Sequence, residues 1–212
     1  MIIAVDGPAA SGKGTLARRL AGHFGLAYLD TGRTYRGVAA AMLAAAADLE
    51  DAHAAVRAAH DLDFEGLGTL ELGTQEIGEG ASRLAVIPEL RAVLVKRQRG
   101  FAEEALAAGS GAVLDGRDIG TVVCPDAAVK LFVTASAQER ARRRALELYG
   151  EAEGPRYRDL VEALELRDRR DRERAASPLR PADDAHVLDT THLSADEAFF
   201  AAVRLVDKAL AA

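Results

Sequence analysis

The chain has 212 residues and a formal net charge of -6, from 27 Lys and Arg against 33 Asp and Glu. That length fits one domain with insertions, able to bury a core without staples, and the acidic balance argues against general nucleic-acid binding, which rests on a basic surface. The single Cys124 excludes a disulfide framework and a multi-cysteine zinc site; the longest apolar run, Val38 to Ala47, is too short to span a bilayer.

Met1–Asp6 carries no cationic leader, so the expectation is a soluble cytoplasmic protein. Aromatics are 5% and tryptophan is absent, which leaves an Ala-, Leu- and Val-weighted apolar fraction that favours helices. Of the basic residues 23 are arginine, and eleven of these fall between Arg140 and Arg174. Arginine forks grip phosphate, so this clustering hints at a phosphorylated small molecule. A compositional bias toward Ala, Gly and Arg is the alternative.

In chain order, Ile2–Val5 reads as a strand running into a glycine-rich loop. Leu16, Leu20 and Phe24 then mark a helix closed by Gly25. Ala27–Leu29 is a second strand and Thr34 to about Ala47 a helix, a β-loop-α rhythm that implies a parallel sheet with crossover helices. The rhythm then breaks. Asp51–His60 looks helical, Leu62, Phe64, Leu70 and Leu72 alternate around Gly66 and Gly68 as a small hairpin would, and helices are expected over Gln75–Val86 and, after Pro88, Glu89–Ala107. Strands return at Ala112–Asp115, Val129–Thr134 and His186–Asp189. Ser136 with Glu139, and Ser194 with Glu197, have the capping-box spacing that opens a helix. The expected fold is α/β: a five-stranded parallel sheet with one insertion near 37–108.

Gly7, Pro8, Ala9, Ala10, Ser11, Gly12, Lys13, Gly14 and Thr15 lie between a strand and a helix, the context of a phosphate-binding P-loop. Converging backbone N–H groups and the helix N-terminus would cradle phosphates. Lys13 would reach the β and γ phosphates of ATP, and the Thr15 hydroxyl would meet Mg²⁺. The strict pattern has Ser or Thr directly after lysine; here Gly14 intervenes, the form of nucleoside monophosphate kinases. Neither a GTPase switch nor a guanine-reading sequence is present, and the chain has no asparagine.

Asp30–Arg36 follows the second strand, where open α/β sheets hold ligands. Thr31, Tyr35 and Arg36 would suit an acceptor phosphate, while an N-capped helix with exposed arginines is the plainer reading. Asp115 ends a strand as a carboxylate supporting Mg²⁺ through water, with Arg117 and Asp118 facing phosphate and acceptor; Asp-Gly is also a common turn. Arg140, Arg143 and Arg144 oppose a helix dipole near its N-terminus unless an anion compensates, as a nucleoside triphosphate would; a solvated basic face is the alternative. Leu160, Leu164, Arg167, Asp171 and Arg174 share one helix face, apolar first and charged later. That face either lines a polar cleft or forms ordinary helical ion pairs.

Taken together, Asp6-Gly7-Pro8 with Gly12–Thr15, Leu29–Gly32 with Tyr35-Arg36, Thr74–Glu76, Ala81-Ser82, Pro88 with Arg91, Arg97–Arg99, Asp115–Val123 and Arg167–Arg172 with Arg174 and Ser177–Leu179 resemble the bacterial cytidylate kinases over nearly the whole chain. The resemblance implies a sheet of order 2-3-1-4-5 and ATP- and Mg²⁺-dependent phosphoryl transfer to CMP or dCMP. It implies a core of 1–36, 109–144 and 158–212, a nucleotide-monophosphate-binding insertion at 37–108 and a lid at 145–157. By the same resemblance Thr31, Ser82, Arg91 and Asp118 line the cytosine side, Arg167 and Asp171 meet the sugar, and Arg36, Arg117 and Arg174 meet phosphate. Lys13, Arg117, Arg140, Arg144 and Arg174 are then the catalytic cations, with Arg143 on ATP.

The chain departs from the family pattern in a shorter 62–72 stretch, in Gly73 where arginine is frequent, in Arg33 and Thr34, and in a longer stretch near 105–111. A monomer acting on small molecules, without nucleic acid or membrane, is expected. The rivals are a kinase of the same fold acting on UMP, shikimate or dephospho-coenzyme A, and a non-catalytic ATP-sensing module.

Overall fold

A computed structural model describes every residue except Glu65, Glu153, Pro155 and Ala212. Its centre is a five-stranded parallel sheet of order β2-β3-β1-β4-β5. The strands are β1 (Ile2–Asp6), β2 (Ala27–Asp30), β3 (Ala112–Gly116), β4 (Val129–Thr134) and β5 (His186–Asp189). β1 lies between β3 and β4, and every residue of β1 and β3 is buried, as strands covered on both faces require.

Alternation along β1 divides the core. Ile3 and Val5 face α1 (Lys13–Phe24) and α8 (Ala195–Leu210), packing with Leu16, Leu20, Phe199, Ala202 and Val206. Ile2 and Ala4 face the other way, with Leu114, Ile119 and Ala102 of α5 (Pro88–Ala107). Ser194 closes a full capping box on α8. Ser136 caps α6 (Ala137–Tyr149) from one side only, because the Glu139 carboxylate is drawn instead to Arg142 and Arg143.

The segment between β2 and β3 has its own core. Val38, Ala39 and Met42 of α2 (Thr31–Ala44) pack with Ala55 and Ala59 of α3 (Ala52–Asp61), Ala81 and Leu84 of α4 (Gln75–Leu84), and Leu90 and Leu94 of α5. Thus α5 serves both this segment and the sheet.

The hairpin expected over 62–72 is absent among the described residues: Gly66–Thr69 forms one 3₁₀ turn. The alternating leucines are anchors rather than strand faces. Leu62 and Leu67 press on Gly37 so closely that a Cβ there would lie 2.8 and 2.7 Å from them. Arg33 then binds the loop from α2, its Nε donating to the Leu67 carbonyl at 3.1 Å and a terminal nitrogen to that of Leu70 at 2.7 Å. Satisfying the loop carbonyls from a side chain removes the need for a partner strand. Of the lid expected at 145–157, Glu153 and Pro155 lie outside the described residues; α6 ends at Gly150 in a left-handed turn and α7 (Tyr157–Glu173) follows.

Candidate active site

The register of the sheet gathers the loops. Asp6 pairs with Gly116 and with Phe132, Asp30 with Asp115, and Thr134 with Asp189, so the ends of all five strands form one carboxyl edge. The strand order reverses at β1, where an open sheet leaves a crevice for ligands. The loop from Gly7 to Gly12 rises from that point. Gly7 is required by close approach: a Cβ there would meet the Val133 carbonyl oxygen at 2.0 Å. Gly12 takes a left-handed φ of 87° before α1, whose first turn has no capping side chain. First-turn amides that no side chain caps suit an anion.

Lys13 and Asp115 share the floor. Burial, then the neighbouring Arg117, push Lys13 down to about 8 despite Asp115. Burial lifts Asp115 to about 6 although Lys13 pulls it down, and the Tyr28 hydroxyl donates to Asp115 Oδ2 at 3.3 Å. Each group therefore gains from added charge of the opposite sign, Lys13 from an anion and Asp115 from a cation. Thr15 lies exposed beside Ser11 and Gly12 in a cleft bounded by Arg143, Thr190, Leu193 and Ala195.

A second cleft opens between the sheet edge and the β2–β3 segment. Thr31, Tyr35, Arg36, Ser82, Arg91, Arg117, Asp118, Arg167, Asp171 and Arg174, expected together from sequence, all line it. Asp30 caps α2 through the Arg33 amide and holds Arg36 at 2.9 Å, so the N-capped-helix reading and the cleft reading of this segment are both true. Thr31 donates to the Asp115 carbonyl at 2.7 Å, and the Gln98 amide, buried in α5, donates to Thr34 at 3.1 Å.

Arg91 grips Asp118 in a buried ion pair and lies near the Tyr35 ring, whose hydroxyl burial pushes up to about 12. Arg117 donates to Asp171 at 3.2 Å. Three guanidinium nitrogens, Arg91 Nε, Arg167 Nε and an Arg174 terminal nitrogen, are buried without a hydrogen-bond partner among the described residues. Burial, then Arg117, bring Arg167 down to about 10; burial, then Arg91, lower Arg174. Such orphaned donors are costly unless a ligand satisfies them.

Arg140 departs from expectation. It is buried, chelates Asp168 of α7 at 2.6 and 3.2 Å, and donates to the carbonyls of Ala9 and Ala135. With its donors spent inward it fastens the phosphate loop to α6 and α7 and does not line either cleft; the charge that compensates it is a carboxylate, not a phosphate. Arg143 lines the first cleft, donating to Thr190 and to the Ser11 carbonyl. Arg144 is paired to Glu147 at 2.7 Å, and both line the mouth of a further cleft over Ala9 and Ala10 that adjoins the second one.

Four contributors were given no role from the sequence. Asp168 and Gln98 stand there only inside Arg167–Arg172 and Arg97–Arg99, segments that carry the resemblance. Thr190 directly follows β5 at the ligand edge and was findable from topology. Asp6, whose carboxylate accepts the Ile119 and Gly120 amides at 2.8 Å each, was quoted only as part of a motif.

Comparison with known proteins agrees with this geometry. The profile of the family described as Cytidylate kinase matches residues 3–208. Proteins named cytidylate kinase from Methylocella silvestris and Brucella suis are 56% and 53% identical, over 99% of this chain and 95% and 94% of their own lengths. The crystal structure of a sugar kinase from a Janibacter species shares the fold alone, at 15% identity and a TM-score of 0.52 over 97% of this chain and 94% of that one. The orphaned arginines, the phosphate loop and these relatives agree: the chain belongs to the cytidylate kinase family.

Proposed function

We propose that this enzyme transfers the γ-phosphoryl group of ATP to CMP and dCMP, giving CDP and dCDP. One observation carries the reading beyond the family match. Lys13, Arg36, Arg117 and Arg167 line the acceptor cleft and also the adjoining cleft over Ala9 and Ala10, so four cations stand where two phosphate sites meet. A module that only senses ATP has no use for a second phosphate site.

The acceptor phosphate is already an anion near neutral pH and attacks in line without a strong general base. The work of the protein is to hold two repelling anions together and spread the charge that develops. The helix α1 amides and Lys13 take the donor phosphates, Arg117 and Arg174 the acceptor, and Arg36 and Arg167 the space between. Arg143 holds the ATP side and Arg144 guards the mouth, while Arg140 fixes the loop from behind. Asp118 and Arg91, paired in the same cleft, serve as acceptor and donor for the base together with Ser82 and Thr31, and Asp171 and Arg167 serve the sugar.

Mg²⁺ on phosphates keeps several waters and needs few protein ligands, so the exposed Thr15 hydroxyl and the buried Asp115 carboxylate fit its needs without a preformed cage. Bound there, the ion would supply neutralisation of the phosphate charge. No helix among the described residues is long and apolar enough to cross a membrane. The cytoplasm as compartment, a monomer as acting unit, the absence of nucleic-acid partners, the insertion at 37–108 and a closing lid at 145–157 belong to the same proposal.

The test is ADP formation from ATP and Mg²⁺ with CMP, dCMP, UMP, AMP or shikimate offered as acceptor. Turnover of about 1–100 s⁻¹ with CMP and dCMP is expected, and weak signals from the rest. Equal activity on UMP or shikimate, or tight ATP binding without acceptor-dependent ADP release, would overturn it.

A further inference from the structure

Ser82 stands in a partition. Its residue lines the acceptor cleft on one side and, on the other, a groove between α4 and α7 that Arg170 also lines. From the groove side an Arg170 terminal nitrogen donates to Ser82 Oγ at 2.9 Å, linking two helices whose residues are 88 apart. Arg170 is no part of the site assigned above.

A serine hydroxyl has one hydrogen to give and two lone pairs, whereas a guanidinium only donates. With Arg170 behind it, Ser82 is held as an acceptor on that side, and its own hydrogen goes elsewhere. Nothing among the described residues takes that hydrogen, and the hydroxyl is buried. Ser82 also lines the acceptor cleft, together with Arg91, whose Nε is an unpartnered donor, and Asp118, whose carboxylate is an acceptor.

We infer that Arg170 is a specificity-determining positioning residue, which polarises Ser82 into a hydrogen donor facing the base of the acceptor. The inference rests on the proposed CMP kinase activity. Cytosine shows two acceptors, O2 and N3, next to one donor, the 4-amino group. It therefore asks for two donors and an acceptor from the wall. Uracil replaces the middle acceptor with an N3–H. A hydroxyl without a fixed partner serves either base equally, because it can give or receive; one that already accepts from a cation keeps its hydrogen and one lone pair and is polarised toward giving. Arg170 therefore biases a choice that serine alone would leave even.

The experiment compares kcat/KM for CMP and UMP in the full-length enzyme and in Arg170→Met and Arg170→Lys. Arg170→Met is expected to lower the CMP/UMP ratio about tenfold, the worth of one hydrogen bond. The change should fall on the two acceptor KM values, with kcat at saturating CMP and the KM for ATP unchanged. Arg170→Lys keeps a donor behind Ser82, restores most of the ratio, and serves where the methionine variant folds poorly. Ser82→Ala in the Arg170→Met background should add little further loss, since both changes remove one device.

An unchanged ratio, equal loss for CMP and UMP, or full additivity with Ser82→Ala overturns the role of Arg170 and leaves the kinase intact. A wild-type enzyme that does not phosphorylate CMP overturns both, and the two failures are thereby told apart.

Discussion

The Asp6 carboxylate and the Gly120 amide, 114 positions apart in the chain, meet at 2.8 Å, and the Ile119 amide joins them at the same distance. Asp6 ends β1 directly before the phosphate loop; Ile119 follows Asp118 of the acceptor cleft. One buried carboxylate thereby sets the spacing between the two halves of the site. Burial pushes it up to about 7 from an ordinary 3.8, although both amides pull it down. The native state thus holds a proton between about pH 4 and pH 7 that the unfolded chain has released. This contribution to stability is complete below that window and is lost as pH rises through it. Melting temperatures of wild type and Asp6→Asn measured from pH 5 to 8 should show the wild type falling relative to the variant. Parallel curves would remove Asp6 from this role.

The Arg140–Asp168 pair is buried at both ends. Removing one partner strands the other charge, so Arg140→Met should cost about 3–5 kcal/mol in urea unfolding. Arg140→Met combined with Asp168→Leu should regain at least half of that loss. Turnover of the double variant, assayed well below its melting temperature, should fall no more than about tenfold. A cation that met the transferred phosphoryl would cost about 10²–10³, and a loss of that size would return Arg140 to the catalytic set.

Lys13 contrasts with Arg140: among the described residues no ion pair or hydrogen bond fixes its ammonium, which answers only to the charge of its neighbours. Lys13→Met should reduce kcat by at least about 10³ with little change in fold. It should also leave Asp115 without the cation that lowers it, so the Asp115 carboxyl should titrate above its wild-type position of about 6. Near-normal turnover with CMP would dismiss the phosphate-loop assignment.

The contrast between these two cations marks how far the sequence could be read. Strands and the loops at their ends were legible, because period, glycine placement and the run from Asp115 to Gly120 are local signals, whereas the strand order came only from the family resemblance. The partner of a charge is not local. Arg140 and Arg144 share a helix and a pattern, yet one is consumed by Asp168 while the other pairs at the surface with Glu147. Only the packing of α6 on α7 decides between them. The 62–72 stretch failed for a related reason: leucine alternation reads alike for a hairpin and for a turn pinned by Gly37 and Arg33.

Arg33 is the residue through which that loop can be tested. Arg33→Met frees the carbonyls of Leu67 and Leu70, and faster amide hydrogen exchange should appear over 66–72 while the sheet stays protected. Unaltered exchange there would mean that Leu62 and Leu67 hold the turn by packing alone.

Gly14 ties the phosphate loop to the strand beside it. A Cβ at this position would lie 3.0 Å from Asp115 Oδ2 and 3.9 Å from the Tyr28 hydroxyl. A larger residue directly after lysine therefore asks the Asp115 carboxylate to give way by a few tenths of an ångström. The choice of residue at 14 and the resting place of that carboxylate are coupled, while the loop carries its hydroxyl one position further on, at Thr15.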